Sequence, residues 1–397
     1  MDVRNLNAEE IADVKRAYTT RRVPEEVMQT LLMGDVTPRI GDLVMARVDQ
    51  IGSHRRIELP SGRKATLAVG DTIMVAFGNR YAPDQFEAVI GTDLSPCELV
   101  AGGGVAAHKI CRHDRMREPT RISPLGLVGD GNAKPINLDQ YAVNFLANSP
   151  PITTVFVAGT AMNAGKTMTS ACLVRGFRQA GFRVAGIKST GTGSGGDLWF
   201  MRDMGANTVL DFTDGGLPST YLAPQEVIEK TVLGLIGHAA QLGNEVAVVE
   251  IADGLHHEET AALLRSPRLR QVSKGLVFAA NDALGAEAGL LMLRSWGWHV
   301  IAFSGQLTRS PLAMREAHRA TSMPVVTAKE IQSGILCQTI TGNVEPRARS
   351  LAKPSELIVA PPQPAVAREN LAFRLKALAS HATNGSQQAP PSRLGAG

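Results

Sequence analysis

Val155-Phe156-Val157-Ala158-Gly159-Thr160-Ala161-Met162-Asn163-Ala164-Gly165-Lys166-Thr167 is the stretch that decides the fold. A short apolar run rich in β-branched residues predicts a strand. The glycine-bearing segment after it predicts a loop, and Lys166-Thr167 opens an amphipathic run from Met168 to Ala180 that predicts a helix. Strand, loop and helix in that order form a phosphate cradle. Gly159 and Gly165 let the backbone curl so that several N–H groups face one anion, and the helix N-terminus adds its positive dipole end. Thr160, Asn163, Ala164 and Met168 complete the expected cradle. Lys166 supplies an ammonium for the outer phosphates, and the Thr167 hydroxyl is placed to ligate magnesium. A glycine-rich turn before an ordinary helix would share part of the pattern, but it would not need Gly-Lys-Thr in register with strand and helix. Five residues separate the two glycines, one more than the common P-loop pattern has.

This longer loop, Gly-Thr-x-x-x-x-Gly-Lys-Thr, resembles that of the dethiobiotin synthetase-like branch of the P-loop NTPases. Members of that branch join or phosphorylate small molecules. Ala161 and Asn163 stand where that family carries acidic residues, a departure that bears on metal binding and nucleophile orientation. The resemblance implies three further roles. Lys188, at the end of the next strand, would neutralise a carboxylate or phosphoryl group; Thr192, followed by Gly193, would hydrogen-bond it; and Asp197 would reach magnesium. A flexible glycine loop with Asp197 as a helix cap is the plainer reading of the same residues. Glu250, ending the strand Val246 to Ile251, matches the family's second magnesium carboxylate, whereas Asp253 stands where the family has glycine.

The chain surrounding the cradle alternates apolar strands with helices over 151–345, which predicts a parallel sheet covered on both faces. Ligands in such sheets bind beyond the carboxyl ends of the strands. Strands are expected at 182–188, 246–251, 275–280 and 298–304, with helices at 197–205 and 285–296. Asp211 to Gly216 reads either as a substrate loop or as a turn closed by Asp-Gly-Gly. His256 and His257, followed by Glu258 and Glu259, lack partners at zinc spacing and read first as an exposed helix start, with His256 as an alternative general base. The loops 281–285 and 304–312 both follow apolar strands and could line the site.

Ahead of this domain, helices are expected within 1–34, at Ala8 to Tyr18 behind an Asn7 cap and at Pro24 to Met33. Over 35–100 the apolar period changes to two. Five short runs, near 42–48, 56–59, 64–67, 72–77 and 86–90, predict a small antiparallel β-barrel. Oligonucleotide-binding folds have this size, but only Phe77, Tyr81 and Phe86 could stack bases, so a substrate-covering or oligomerising role is expected. The segment 101–150 reads as a connector. Its glycines Gly102, Gly103 and Gly104 and its cluster His108, Lys109, Arg112, His113, Arg115, Arg117 and Arg121 mark either a solvated loop or a contact for an anionic substrate. The tail 346–397 is expected to be partly disordered, with one helix near 366–379.

Composition narrows the functional classes. The 397 residues are 44% hydrophobic, enough for large cores, and by length about two to three domains are expected. A net charge of +4 with scattered Lys and Arg gives no nucleic-acid signature. Cys97, Cys111, Cys172 and Cys337 sit apart without Cys-x-x-Cys pairs and read as reduced thiols. No membrane span and no signal core is read, so a cytoplasmic location is expected. The dethiobiotin synthetase-like resemblance, which these features leave open, implies an ATP- and Mg²⁺-dependent ligase or kinase acting on a small-molecule substrate, a carboxylate- or amine-bearing metabolite, and working as a homodimer. Two alternatives stand beside it. Thr190 to Gly193, Gly196-Asp197, Asp211-Phe212 and Ser310 to Leu312 are similar to a P-loop family that includes D-glutamate N-acetyltransferases, which implies acetyl-CoA in the cradle and acyl transfer. The paired histidines alone support a nucleotide-binding regulatory or metallochaperone-type switch.

Overall fold

The computed structural model describes residues 1–145, 148–342 and 344–346. Two sheets organise these residues, one built for each half of the sequence.

The N-terminal sheet closes on itself. Its ring runs β1 (Leu43–Gln50), β2 (Thr72–Phe77), β3 (Cys97–Ala101), β4 (Val105–Arg112) and β5 (Thr120–Gly129). β5 pairs with β1, β1 with β2, β2 with β4, β4 with β3, and β3 with β5 again. Every pair is antiparallel except β2 with β4, which are joined in parallel at Val105 opposite Ala76. Alternation places Val44, Ala46, Val48, Ile73, Val75, Leu99, Ala106 and Ile122 inside the barrel. The opposite faces of β1 and β2, through Leu43, Met45, Met74 and Ala76, are covered by Val14, Val23, Met28 and Leu31 of the N-terminal segment.

That arrangement differs from the expected one in two ways. The runs at 56–59 and 64–67 form a separate hairpin, Arg56–Glu58 with Lys64–Thr66, and the run near 86–90 is a strand, Phe86–Val89, attached to the flank of β4. Segment 101–150, read as a connector, carries β4 and β5. Its charges hid the alternation: β4 is fully buried only over its first three residues and then turns outward as His108, Lys109 and Arg112. Within 1–34 the first helix stops at Asp13, and Pro24 to Met33 is a 3₁₀ turn, Glu25–Val27, followed by a strand, Thr30–Met33. The apolar face of that stretch satisfied a helical period, but pairing with β5 at Leu127 opposite Leu32 decides its form.

The second sheet is parallel throughout, as the sequence predicts. Its strands are β6 (Thr153–Gly159), β7 (Val184–Lys188), β8 (Thr208–Asp211), β9 (Val246–Glu250), β10 (Ser273–Ala279) and β11 (Val300–Ser304), in the spatial order β8-β7-β9-β6-β10-β11. Helices α1 (Lys166–Gln179), α2 (Gly196–Asp203), α3 (Gln225–Gln241), α4 (Glu258–Arg265), α5 (Ala283–Ser295) and α6 (Pro311–Thr321) cover it. Phe156, Ala158, Val249 and Phe278 pack towards α3 and α5, while Val155, Val157, Val248 and Val277 pack towards α1. The central strands are therefore buried on both faces, which explains their unbroken apolar runs, while the edge strand β8 is half-buried at Thr208 and Val209. The chain carries a P-loop NTPase-type α/β domain preceded by a small, mainly antiparallel barrel. Among the described residues no helix is long and apolar enough to cross a membrane. The helix expected at 366–379 lies outside the described residues.

Candidate functional site

The cradle sits at the carboxyl end of β6, centrally in the sheet, flanked by β9 and β10. Gly159 has no room for a side chain: a Cβ there would lie 2.8 Å from the Ala279 carbonyl oxygen and 2.8 Å from Cγ of Lys166. Asn163 and Gly165 both adopt positive φ, 65° and 99°, and so turn the loop into α1. Gly165 caps α1 without a side-chain hydrogen bond. The first-turn N–H groups of Lys166, Thr167 and Met168 consequently have no intrahelical acceptor and point out of the helix end. Ala164 is buried against the loop after β11, where Gly305 N-terminally precedes a hydrogen bond from the Gln306 N–H to the Ala164 carbonyl, 3.0 Å.

The side chains expected at the cradle occupy distinct positions. Lys166 is buried and donates to the Ala161 carbonyl at 2.8 Å, so its ammonium lies against the loop it would serve. Burial lowers its pKa, which Glu250 and Asp253 oppose. Thr167 donates from Oγ1 to Glu250 Oε1 at 3.0 Å. Glu250 is 1% exposed, and its Oε2, like Thr160 Oγ1, is buried with no hydrogen-bond partner among the described residues. Met168 is exposed and Asn163 reaches away from the cradle to donate to Asp84 Oδ2 at 3.0 Å.

At the end of β7, Lys188 is ion-paired with Asp197. The two residues expected to meet a substrate anion and a metal thus meet each other. Thr192 forms an isolated antiparallel bridge to Ser219. Gly193 and Gly195 serve close approach, whereas Gly196 has open space around it. A Cβ on Gly193 would lie 2.5 Å from Cγ2 of Thr19, and one on Gly103 would lie 2.2 Å from the Gly193 carbonyl. The glycine loop of the parallel domain and the Gly102–Gly104 loop of the barrel are pressed backbone to backbone.

Magnesium is the metal a P-loop implies. It uses hard oxygen donors, one or two carboxylates beside retained waters and phosphate oxygens. Thr167 Oγ1 and the orphaned Glu250 Oε2 fit that donor set; Asp197, held by Lys188, enters it only by exchanging partners. No cluster of three His, Cys, Asp or Glu residues suited to a metal occurs among the described residues.

Several residues at this end of the sheet carried no sequence signal. Tyr18 donates to Asp211 Oδ2 at 2.6 Å, and Arg21 pairs with Asp211 at 3.0 Å and Asp214 at 2.7 Å. Glu58 accepts from the Gly195 N–H at 3.0 Å and from the Trp199 indole at 2.7 Å. The barrel is thereby clamped over the loops that follow β7 and β8. Asp211 to Gly216 belongs to this clamp: its turn is closed by the Asp214 carboxylate accepting from the Asp211 N–H at 2.9 Å.

The turn after β9 lies under the same cover. Burial pushes the Asp253 carboxyl up, opposed by His257, Lys166 and Lys188 and reinforced by Glu259. His257 lies 3.2 Å from Glu259 and meets the Tyr81 ring at a 47° tilt, ring centroids 4.3 Å apart, whereas His256 is exposed just before α4. Tyr221 donates to Glu87 at 2.9 Å, and burial together with that carboxylate pushes its phenol up to about 12. The pattern that could have pointed here is the Arg80-Tyr81 pair between two glycine-flanked strands, but neither residue type marks a site on its own. Asp253 was visible only as a departure from a glycine.

No protein-family model matches the sequence, and no curated protein matches it either. Among solved structures, the chain is similar to the signal recognition particle receptor FtsY from Elizabethkingia anophelis, at 13% identity and a TM-score of 0.32, covering 49% of this chain and 67% of that one. The same receptor in complex with GDP gives 13% identity and a TM-score of 0.32 over 51% and 68% of the two chains. Chloroplast FtsY from Physcomitrella patens gives 16% identity and a TM-score of 0.34 over 50% and 70%. Superpositions this loose leave function to the geometry of the site itself.

Proposed function

We propose that the chain is a group-transfer enzyme that binds a nucleoside triphosphate with magnesium in the Gly159–Thr167 cradle and acts on a small molecule held beneath the barrel. The observation that carries this reading is the Thr167–Glu250 pair: a buried carboxylate keeps one oxygen unpartnered beside the hydroxyl that opens the cradle helix. A buried carboxylate oxygen without a partner is costly, and a cation bridging to phosphate oxygens would satisfy it. The dethiobiotin synthetase-like residues Lys188, Thr192 and Asp197 support ligase or kinase chemistry within this class.

The residues divide the work physically. The free N–H groups of the cradle and Lys166 hold the phosphates, Lys166 leaving the Ala161 carbonyl to do so. Thr167 and Glu250 would hold magnesium, which would neutralise charge developing on the transferred group. Lys188, released from Asp197, would stabilise the same charge from the opposite side. Asp253, whose pKa is raised, is suited to take a proton from the acceptor at a carboxylate oxygen. Lys166 and Glu250 are buried, and Thr167, Lys188 and Asp253 half-buried, at this end of the sheet.

One observation favours a second reading, acetyl transfer from acetyl-CoA with the cradle holding CoA phosphates. The Lys188–Asp197 pair removes one of two expected metal carboxylates, and phosphate binding through N–H groups and Lys166 needs no metal. Isothermal titration with ATP plus magnesium, ADP and acetyl-CoA, repeated on Lys166→Ala, separates the two. Magnesium-dependent ATP binding that disappears in the variant is expected; acetyl-CoA binding with no ATP signal would overturn the nucleotide reading.

A further inference from the structure

Arg80 is a charged side chain that the barrel buries with Asp84 and Asp253 in electrostatic reach but in contact with neither. It begins the short strand Arg80–Tyr81, is 6% exposed, and forms no ion pair with any described carboxylate. Its Nη2 donates to Gln85 Oε1 at 2.8 Å, while Nε and Nη1 are buried with no hydrogen-bond partner among the described residues. Burial draws its pKa down to about 10, with Asp84 and Asp253 acting against the shift, so it stays a cation at neutral pH. On its other side lie the Phe86 ring, 5.8 Å from the guanidinium carbon, and the neutral His54, whose Nδ1 is 3.0 Å from the Leu99 carbonyl.

Two of its neighbours connect it to the cradle. Asp84 accepts from Asn163 at the tip of the P-loop, and its Oδ1 is unpartnered too. Asp253 is within electrostatic reach of Arg80 on one side and of Lys166 and Lys188 on the other. A buried guanidinium with unmade donors is costly unless something pairs with it. A fold that needed only packing here would gain from an apolar residue of the same volume. The planar fork of Arg is suited to a carboxylate, which can take two parallel N–H···O bonds.

We propose that Arg80 is the substrate-anchoring residue of the barrel, the Nη2 N–H not given to Gln85 acting with Nε or with Nη1 as the fork that receives a carboxylate of the acceptor molecule and so faces its reactive end towards Asp253 and the cradle. The inference rests on the group-transfer reading and adds to it: the barrel selects the acceptor, and the acceptor is a carboxylic acid.

The test reads carboxylate binding separately from cradle binding. Thermal unfolding of the full chain is followed against succinate at constant ionic strength, with chloride replaced and the neutral succinamide as control, in the wild type, Arg80→Lys and Arg80→Met. Succinate, and not succinamide, is expected to raise the wild-type Tm saturably. The half-saturating concentration should rise by about tenfold or more in Arg80→Lys, which keeps the charge and loses the fork, and the response should vanish in Arg80→Met. Should Arg80→Met fail to fold, Arg80→Lys carries the comparison. Absence of a wild-type response, or an equal response in Arg80→Lys, would overturn the proposal. Titration of both variants with ATP plus magnesium and with acetyl-CoA keeps the two readings apart. A normal cradle ligand with no succinate response removes Arg80 only, and a succinate response with an empty cradle removes the group-transfer reading only.

Discussion

Replacing Arg21 by methionine should uncouple the barrel from the parallel sheet, and the cost can be worked from the clamp. Arg21 is nearly enclosed, with a side chain 10% exposed, and its partners Asp211 and Asp214 are 0% and 7% exposed. The guanidinium also lies 4.0 Å from the centre of the Tyr18 ring and donates to Thr213. Methionine keeps much of the packing and removes the charge. Withdrawing one member of a buried pair costs about 3–5 kcal/mol, mostly because the remaining charge stays buried. Two carboxylates share the loss, although Arg22, 3.6 Å from Asp214, retains one of them. The expected destabilisation at pH 7 is therefore about 3–5 kcal/mol.

The pH dependence gives that number a sign. Burial alone would raise the Asp211 carboxyl, but Arg21 and hydrogen bonds from Thr213, Tyr18 and Arg21 hold it below the usual carboxylate range. A depressed folded pKa contributes stability that is present above the unfolded value, near pH 4, and is lost as pH falls through the folded value. Without Arg21 the burial effect is left exposed and the folded pKa rises. Stability of the variant then declines as pH climbs through about 4 and beyond, so its deficit should be far smaller at pH 3.5 than at pH 7. Urea unfolding at both pH values, with the slope checked for constancy, measures this directly. A deficit under about 1 kcal/mol at pH 7, or one equal at the two pH values, would refute the reasoning. The double variant Arg21→Met with Asp211→Asn should recover part of the loss.

Three other perturbations address the cradle and the barrel. Glu250→Gln preserves an acceptor for the Thr167 hydroxyl and should remove the magnesium-dependent part of ATP binding while sparing any metal-independent part; calorimetry showing an unchanged magnesium dependence would count against Glu250 as a ligand. Gly305→Ala places a Cβ 2.3 Å from the Ala164 carbonyl oxygen at a φ of 92°, so it should destabilise by about 2 kcal/mol or more and weaken cradle-ligand binding in the same titration; a protein unchanged in both would mean the loop floats free of the β11 turn. His54 is held near a pKa of about 4 by burial and by the Arg80 charge. Its folded value lies below the unfolded one, so its protonation costs stability progressively as pH drops from about 6.5 towards 4, and His54→Gln should show a flatter stability profile over that window in thermal melts.

The parallel half of the fold was legible because its strands are buried twice. Val155 to Ala158, Val246 to Val249 and Leu276 to Ala279 have no polar face to confuse the period, and the first two end at Gly159 and Glu250. The barrel was half legible. β1 and β2 read as strands from short apolar runs buried largely on both faces, but β4 spends its outer half in solvent, so its basic residues read as a loop. Thr30–Met33 read as helix because an apolar run is ambiguous until its hydrogen-bond partner is known, and that partner lies near residue 128. At the site, the cradle was readable because glycine, lysine and threonine have few other reasons to share that spacing. Tyr18, Arg21, Glu58 and Arg80 were not, since their importance comes from what lies across an interface between segments far apart in sequence. The Lys188–Asp197 pair shows the converse: both residues were singled out, while the contact that binds them to each other was not.

The clamp that joins the two halves sets a schedule for biosynthesis. Tyr18 finds its acceptor 193 residues later, and Glu58 finds the Trp199 indole 141 residues later. The barrel ring is complete once β5 has emerged at Gly129, yet the loop that receives Tyr18 and Arg21 ends more than eighty residues further on. At ribosomal elongation rates that interval is roughly ten seconds, long compared with the closing of a small barrel. For that time a folded N-terminal half presents Tyr18, Arg21 and Glu58 to water on a face it will later bury. The nascent chain is therefore most vulnerable to mispairing at the surface that will become the roof of the site.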